Sequence, residues 1–245
     1  MAKKSLKSFN LDELKTIMQN FASNSRIFNS EAQFQFELAW RINELFDCKV
    51  LLELLSRIEV VPNTHKNAKA TNVIKKDYTD IVLEKDDLRI ALELKYKTAL
   101  LEKLSLSHHG AVDLGSYDFM WDVNRLQMLT GKTADETVKT PCERGYAVIL
   151  TNDYHYWTTP INNNVINREF RIHGNGNGIG KLTKGQHEWY DTTGKPGLSK
   201  VIQKDKARSQ SIALRKDYHY QWIPYLSVPN VEKNGEFKYM IVEVD

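Results

Sequence analysis

The stretch DIVLEKDDLRIALELKYKT, residues 80–98, decides how this chain is read. Apolar and polar residues alternate on either side of Asp86 and Asp87, the pattern of two antiparallel strands, Tyr78–Lys85 and Leu88–Tyr96, joined by a tight turn. Strand side chains alternate faces at about 3.3 Å per residue, which puts Glu93 and Lys95 on one face about 6.6 Å apart. Ala91 shares that face, while Ile90, Leu92, Leu94 and Tyr96 point the other way into a core. Asp80 opens the partner strand and should lie across from residues 93–95. A hairpin built only for a core has no need of these three charges.

On the N-terminal side, Asn10 reads as the cap of an amphipathic helix carrying Leu11, Leu14, Ile17, Met18 and Phe21. Ser30 with Gln33 reads as a capping box before a second helix with Phe34, Leu38, Ile42 and Leu45 at helical spacing. VLLELLSRIEVV, residues 50–61, is a dense apolar run bounded by Asp47 and Pro62 and reads as a strand. Residues 62–77 are polar, basic and loop-like. After the hairpin, a loop with His108, His109 and Gly110 leads to a helix over Ser116–Leu129, and YAVILT, residues 146–151, reads as a buried strand. Beyond residue 157 the composition shifts to Asn, Gly, Thr and Lys, with strands expected near 168–173, 218–223 and 238–244. The division expected is a core over residues 1–157 and an elaboration over 158–245 packed on the same domain.

A chain of 245 residues is long enough for a sizeable core. Its net charge of +3 is compatible with a nucleic-acid partner without requiring one. No run of about 18 apolar residues occurs, and the basic start lacks an apolar segment behind it, so the expectation is a cytoplasmic protein without a membrane span. Cys48 and Cys142 read as two reduced thiols. Zinc ribbons and fingers are excluded for want of CxxC, and HEWYD, residues 187–191, lacks the second His of a zinc protease. The glycine-rich HGNGNGIGK, residues 173–181, fails both phosphate-loop spacings and reads as a loop near substrate.

Converging carboxylates repel one another unless a cation sits between them, and Mg²⁺ suits one or two carboxylates completed by water. A metal-bound water can act as nucleophile, with a lysine to orient it or to stabilise charge on a phosphate. Asp80, followed after 12 residues by Glu93-Leu94-Lys95, resembles the PD-(D/E)XK nuclease superfamily. The stretches SEAQFQFELAW, YTDIVL, ALELKYKT, HHGAVDLGSYDFMWDVNRL and YAVILTNDYHYW together look like a bacterial branch of it, spanning residues 30–157. One departure is Thr79, which stands where the motif has proline.

That resemblance implies a restriction-endonuclease-like α/β fold, with a mixed central sheet flanked by helices in the order αβββαβ. It implies a Mg²⁺-dependent (Mn²⁺ as substitute) endonuclease hydrolysing phosphodiester bonds, most naturally in DNA. Asp80 and Glu93 would bind the metal together with the Leu94 carbonyl, and Lys95 would position or activate water. Cutting two strands would favour a homodimer. The alternative is a nucleic-acid-binding or protein-interaction module that keeps the fold without catalysis.

Supporting residues carry two readings each. Glu31 is either a partner of its helix dipole or an additional metal ligand. Glu53, the lone charge in VLLELL, either emerges at a sheet edge or faces the same cation. Asp118, Asp122 and Arg125 form either a solvated helix face or the border of a cleft, where Arg125 or Tyr117 would touch substrate. The basic stretches 65–76 and 203–216 are solvated or track phosphates. Tyr154, Tyr156 and Trp157, beside His155, either pack in the core or stack bases.

Overall fold

A computed structural model describes residues 2–60, 73–108, 110–130, 141–160, 165–191, 195 and 208–245. A short parallel pair, β1 (Lys4–Ser5) and β2 (Phe46–Asp47), ties the start of the chain to the helices that follow it. Asn10 caps α1 (Leu11–Ser23) by accepting the Asp12 and Glu13 N–H groups. Ser30 caps α2 (Glu31–Leu45) by accepting from Gln33 N at 3.1 Å. The capping box is only half made, because the Gln33 side-chain oxygen accepts the Asn29 N–H and its amide donates to Glu37.

Six strands form the central sheet in the order β11-β12-β6-β5-β4-β3. They are β3 (Lys49–Val60), β4 (Val73–Lys85), β5 (Leu88–Lys97), β6 (Arg144–Thr151), β11 (Ile223–Ser227) and β12 (Glu236–Val244). Every neighbouring pair is antiparallel except β5 and β6, which α3 (Val112–Leu129) connects as a crossover. The protein is therefore a mixed α/β fold with a mostly antiparallel sheet. The order α2-β3-β4-β5-α3-β6 follows the expected succession of elements. Two small ribbons, β7 (Ile179–Leu182) with β10 (Tyr218–Gln221) and β8 (Gly185–His187) with β9 (Ile212–Leu214), complete the described strands. No helix among the described residues is long and apolar enough to cross a membrane.

Strand alternation divides the core into two layers. Ile81, Leu83, Ile90, Leu92, Leu94 and Tyr96 pack with α1 and α2, whereas Ala91, Ala147, Ile149, Met240 and Val242 pack with α3 and the ribbons. Seven register pairs join β12 to β6, so the C-terminal segment contributes strands to the central sheet as well as the ribbons over α3.

Several boundaries differ from the expectations. Val73–Asp77, read as loop, is strand, because β4 continues along β3 after leaving β5. Helix α3 begins one turn earlier than Ser116, at Val112. Residues 168–173 do not form a strand. Arg168–Phe170 is a turn of 3-10 helix, with Phe170 packed on Tyr117 and Trp189 at 5.0 and 4.7 Å, so aromatic packing and not ladder pairing fixes it. The HGNGNGIGK loop turns on itself: Asn175 Oδ1 accepts from Asn177 and Ile179, and Trp222 N–H donates to Gly178 O, where φ is +73°.

The feature that positions the site is a fork in the sheet. Pairing between β4 and β5 runs from Lys85↔Leu88 to Ile81↔Leu92 and stops there, while β4 and β3 stay paired as far as Val60↔Val73. Glu53 sits at the fork in left-handed backbone (φ 51°), between the Leu52↔Ile81 and Leu54↔Thr79 pairs.

Candidate functional site

Where β4 leaves β5, alternate N–H groups of β5 lose their ladder partners. Two carboxylates take them. Asp80 Oδ2 accepts Leu94 N–H at 2.6 Å, and Glu31 Oε2, from the first turn of α2, accepts Tyr96 N–H at 2.7 Å. The register places Asp80 across from Glu93, one step beyond Ile81↔Leu92. The hairpin expectation that Asp80 meets residues 93–95 matches this geometry.

Glu93 and Lys95 project from the opposite side of β5 to Leu92 and Leu94, towards α3. Glu93 is 1% exposed, and its Oε1 lies 2.7 Å from an Arg125 guanidinium nitrogen. Lys95 Nζ lies 2.6 Å from Asp122 Oδ2 and donates to the Leu94 carbonyl at 3.1 Å. Arg125 also reaches Asp122 and Asp77, both at 3.6 Å, and donates to the Tyr78 carbonyl. Five carboxyls (Glu31, Asp77, Asp80, Glu93 and Asp122) thus surround two cations.

This imbalance governs protonation. Burial pushes the Asp80 carboxyl up to about 7; Asp122 and Glu31 add to the rise, while Lys95 and the Leu94 N–H oppose it. Burial also holds Glu93 well above the usual carboxylate range, reinforced by Asp122 and Asp80 against Arg125 and Lys95. Burial alone would lower Lys95, but Asp122, Glu31, Asp80 and Glu93 outweigh it and keep the ammonium charged.

The donor set is all oxygen. Glu93 Oε2 is buried with no hydrogen-bond partner among the described residues, and the Asp80 carboxyl and Leu94 carbonyl belong to the same fork. Two carboxylates and a carbonyl fit a hard divalent cation that keeps water or phosphate in its remaining positions. Among the described residues, no three His, Cys, Asp or Glu side chains are grouped to hold a metal by themselves.

No family model matches this chain, and no curated protein matches it.

The remaining candidates divide. Glu53 is exposed, so the burial argument for it fails; its carboxylate accepts from the Gln35 amide at 2.8 Å, and the same amide donates to the Asp80 carbonyl at 2.7 Å. It therefore touches the fork from outside. Tyr117 is core: it stacks on Trp121 and Trp189 and donates to the Gln210 carbonyl, which closes it to a substrate here. The solvated-face reading of α3 is overturned, since Asp122 and Arg125 are 2% and 7% exposed and both face the acid cluster. Asp118 instead holds Arg208 through two nitrogens at 2.7 and 2.9 Å.

The basic stretches are partly spent on internal contacts, with Arg215 donating to the Gln127 carbonyl and Lys216 paired with Asp245. Residues 65–72 and 203–207 lie outside the described residues. Sequence reasoning missed Asp122 as the partner of Lys95. The signal was available: an acid three residues before Arg125, on the first helix after the Glu-Leu-Lys strand.

Proposed function

We propose that the protein is a metal-dependent phosphodiesterase acting on nucleic acid, DNA in the first place, on a restriction-endonuclease-like core. The observation that carries this reading is the convergence of Asp80, Glu93 and Lys95 at the fork, with more carboxyls than the neighbouring cations can neutralise. Asp80, Glu93 and the Leu94 carbonyl would hold Mg²⁺ or Mn²⁺. Such an ion supplies a nucleophilic water at neutral pH and a counter-charge for the phosphate.

The chain's own residues do the rest. Asp80 and Glu93, whose carboxyls burial raises, would hold the cation in their ionised forms. The Leu94 N–H fixes the rotamer of Asp80, and the Tyr96 N–H fixes Glu31 beside Lys95. Lys95 remains an ammonium, so its role is to orient water and stabilise negative charge on phosphate, not to remove a proton. Asp122 holds that ammonium in place until substrate enters.

A second reading, a nucleic-acid-binding or protein-interaction module without catalysis, is favoured by one observation: Glu93 and Lys95 are already engaged by Arg125 and Asp122. Calorimetric titration of Mg²⁺ and Mn²⁺, with and without DNA, separates the two when run beside Asp80→Ala/Glu93→Ala. The hydrolase reading expects binding by wild type alone, and cleavage of some DNA or RNA form in a subsequent screen. Absence of metal binding even with DNA present leaves the binding module.

A further inference from the structure

Arg125 bridges both arms of the fork. One of its terminal guanidinium nitrogens lies 2.7 Å from Glu93 Oε1 on β5 and donates to the Tyr78 carbonyl on the departing half of β4. The other lies 3.6 Å from Asp77 on that same half and 3.6 Å from Asp122, one turn earlier on α3. The side chain is buried throughout.

Glu93 is the partner for which Arg125 has a rival. Its Oε1 faces the guanidinium, while its Oε2 is buried with no hydrogen-bond partner among the described residues. A carboxylate in so dry a place needs a counter-cation, and a guanidinium supplies one. The same carboxylate is a ligand of the divalent ion in the reading above, so arginine and ion claim the same group. An ion about 2.1 Å from a Glu93 oxygen would repel a guanidinium held on that carboxylate. Lys95 stands outside this contest, because Asp122 Oδ2 holds its ammonium at 2.6 Å. Driven off Glu93, the planar guanidinium fork matches two oxygens of a phosphate, a geometry that an ammonium does not offer.

We propose that Arg125 is a resident counter-cation exchanged on metal binding: the divalent ion replaces its guanidinium on Glu93, and the guanidinium passes to a phosphate of the nucleic acid. The inference rests on the metal-dependent hydrolase reading. Metal releases the arginine and phosphate receives it, so metal and nucleic acid bind cooperatively, each strengthening the other by the same factor. The Glu93–Arg125 contact is then the resting half of a cycle and not the mark of a lapsed site.

The test reads binding and not cleavage. Mn²⁺ is titrated by calorimetry into the full chain as wild type, Arg125→Gln, Arg125→Met, Lys95→Ala and Arg125→Gln/Glu93→Gln. Arg125→Gln keeps an amide for the Tyr78 carbonyl and carries the comparison where Arg125→Met melts without metal. Lys95→Ala removes a neighbouring positive charge held by Asp122 and so measures the general field alone. Anisotropy of a labelled mixed-sequence oligonucleotide, in EDTA and in Ca²⁺, measures the coupling.

Both Arg125 variants should bind Mn²⁺ roughly tenfold tighter than wild type without nucleic acid, while Lys95→Ala stays within a few fold of wild type. The double variant should lose the gain. Ca²⁺ should strengthen oligonucleotide binding by a clearly larger factor in wild type than in either Arg125 variant. Unchanged Mn²⁺ affinity in the Arg125 variants, or an equal gain in Lys95→Ala, overturns the exchange and leaves the metal site standing. Equal coupling in wild type and variants overturns the transfer to phosphate. Metal binding by none of the proteins, with or without oligonucleotide, overturns the hydrolase reading and the exchange with it.

Discussion

Glu93 and Arg125 meet at 2.7 Å across the seam between β5 and α3, both almost fully buried, and the second oxygen of Glu93 has no hydrogen-bond partner among the described residues. Removing one member of such a pair leaves a charge in a dry environment and costs about 3–5 kcal/mol. Arg125→Met should therefore lower the urea midpoint strongly at pH 8. The loss should shrink as pH is lowered, because burial already holds Glu93 above the usual carboxylate range and protonation would discharge it. Arg125→Met/Glu93→Gln should recover most of the stability. A double variant no better than the single one would show that Arg125 acts through its other contacts.

Asp80→Asn and Lys95→Ala should separate two roles at the fork. The first should abolish calorimetric Mg²⁺ binding and cleavage together. The second should leave metal binding within a few fold of wild type and slow cleavage by about 10²–10³-fold, the scale of removing one preorganised charge-stabilising donor. Equal loss of metal binding in both variants would assign Lys95 a structural role.

The metal-free protein should lose stability as pH rises. Asp80 titrates near 7 when folded against an ordinary value of 3.8, so between those values the folded state holds a proton that the unfolded chain has released. The contribution is fully present below 3.8 and is lost as pH rises through about 7, the reverse of a salt-bridged carboxylate. Glu93 acts in the same direction. In EDTA, melting temperature should fall from pH 5.5 to 8, and Asp80→Asn should flatten that fall. Mg²⁺ should recover part of it at pH 8. Identical slopes for wild type and variant would refute the assignment.

Ser30→Ala and Glu31→Ala should differ in kind. Losing the Ser30 cap costs about 1 kcal/mol of helix stability and leaves the acid cluster intact. Glu31→Ala strips the partner from the Tyr96 N–H, a penalty of about 1–3 kcal/mol, and removes one of the acids that keep Lys95 charged. Only the second variant should change the pH profile of cleavage, measured at fixed Mg²⁺.

The hairpin was legible because its information is local: period-two alternation and the turn at Asp86–Asp87 fix which face Glu93 and Lys95 occupy and bring Asp80 opposite. Helix caps at Asn10 and Ser30 were legible for the same reason. What the sequence hid was tertiary. Whether Asp122 and Arg125 meet water or a buried strand depends on how α3 lies across β5, and a helical i, i+3 spacing fits either. Glu53 looked buried from its apolar neighbours, but β3 is an edge strand and turns that side chain outward. Strand β4 looked short because its outer half pairs with one neighbour only, so its residues need no apolar alternation on a second flank.

The fork also sets where evolution can alter the length of this protein without damage. Added or deleted residues beyond the Ser56↔Asp77 pair change only the reach of the outer β3–β4 ribbon and leave the acids where they are. A single residue gained or lost between Asp80 and the turn at Asp86 would shift the β4–β5 register by one and send the Asp80 carboxylate to the opposite face of the sheet. Natural relatives, when aligned, should carry their gaps on the outer side of this boundary and keep a constant spacing from Asp80 to Lys95.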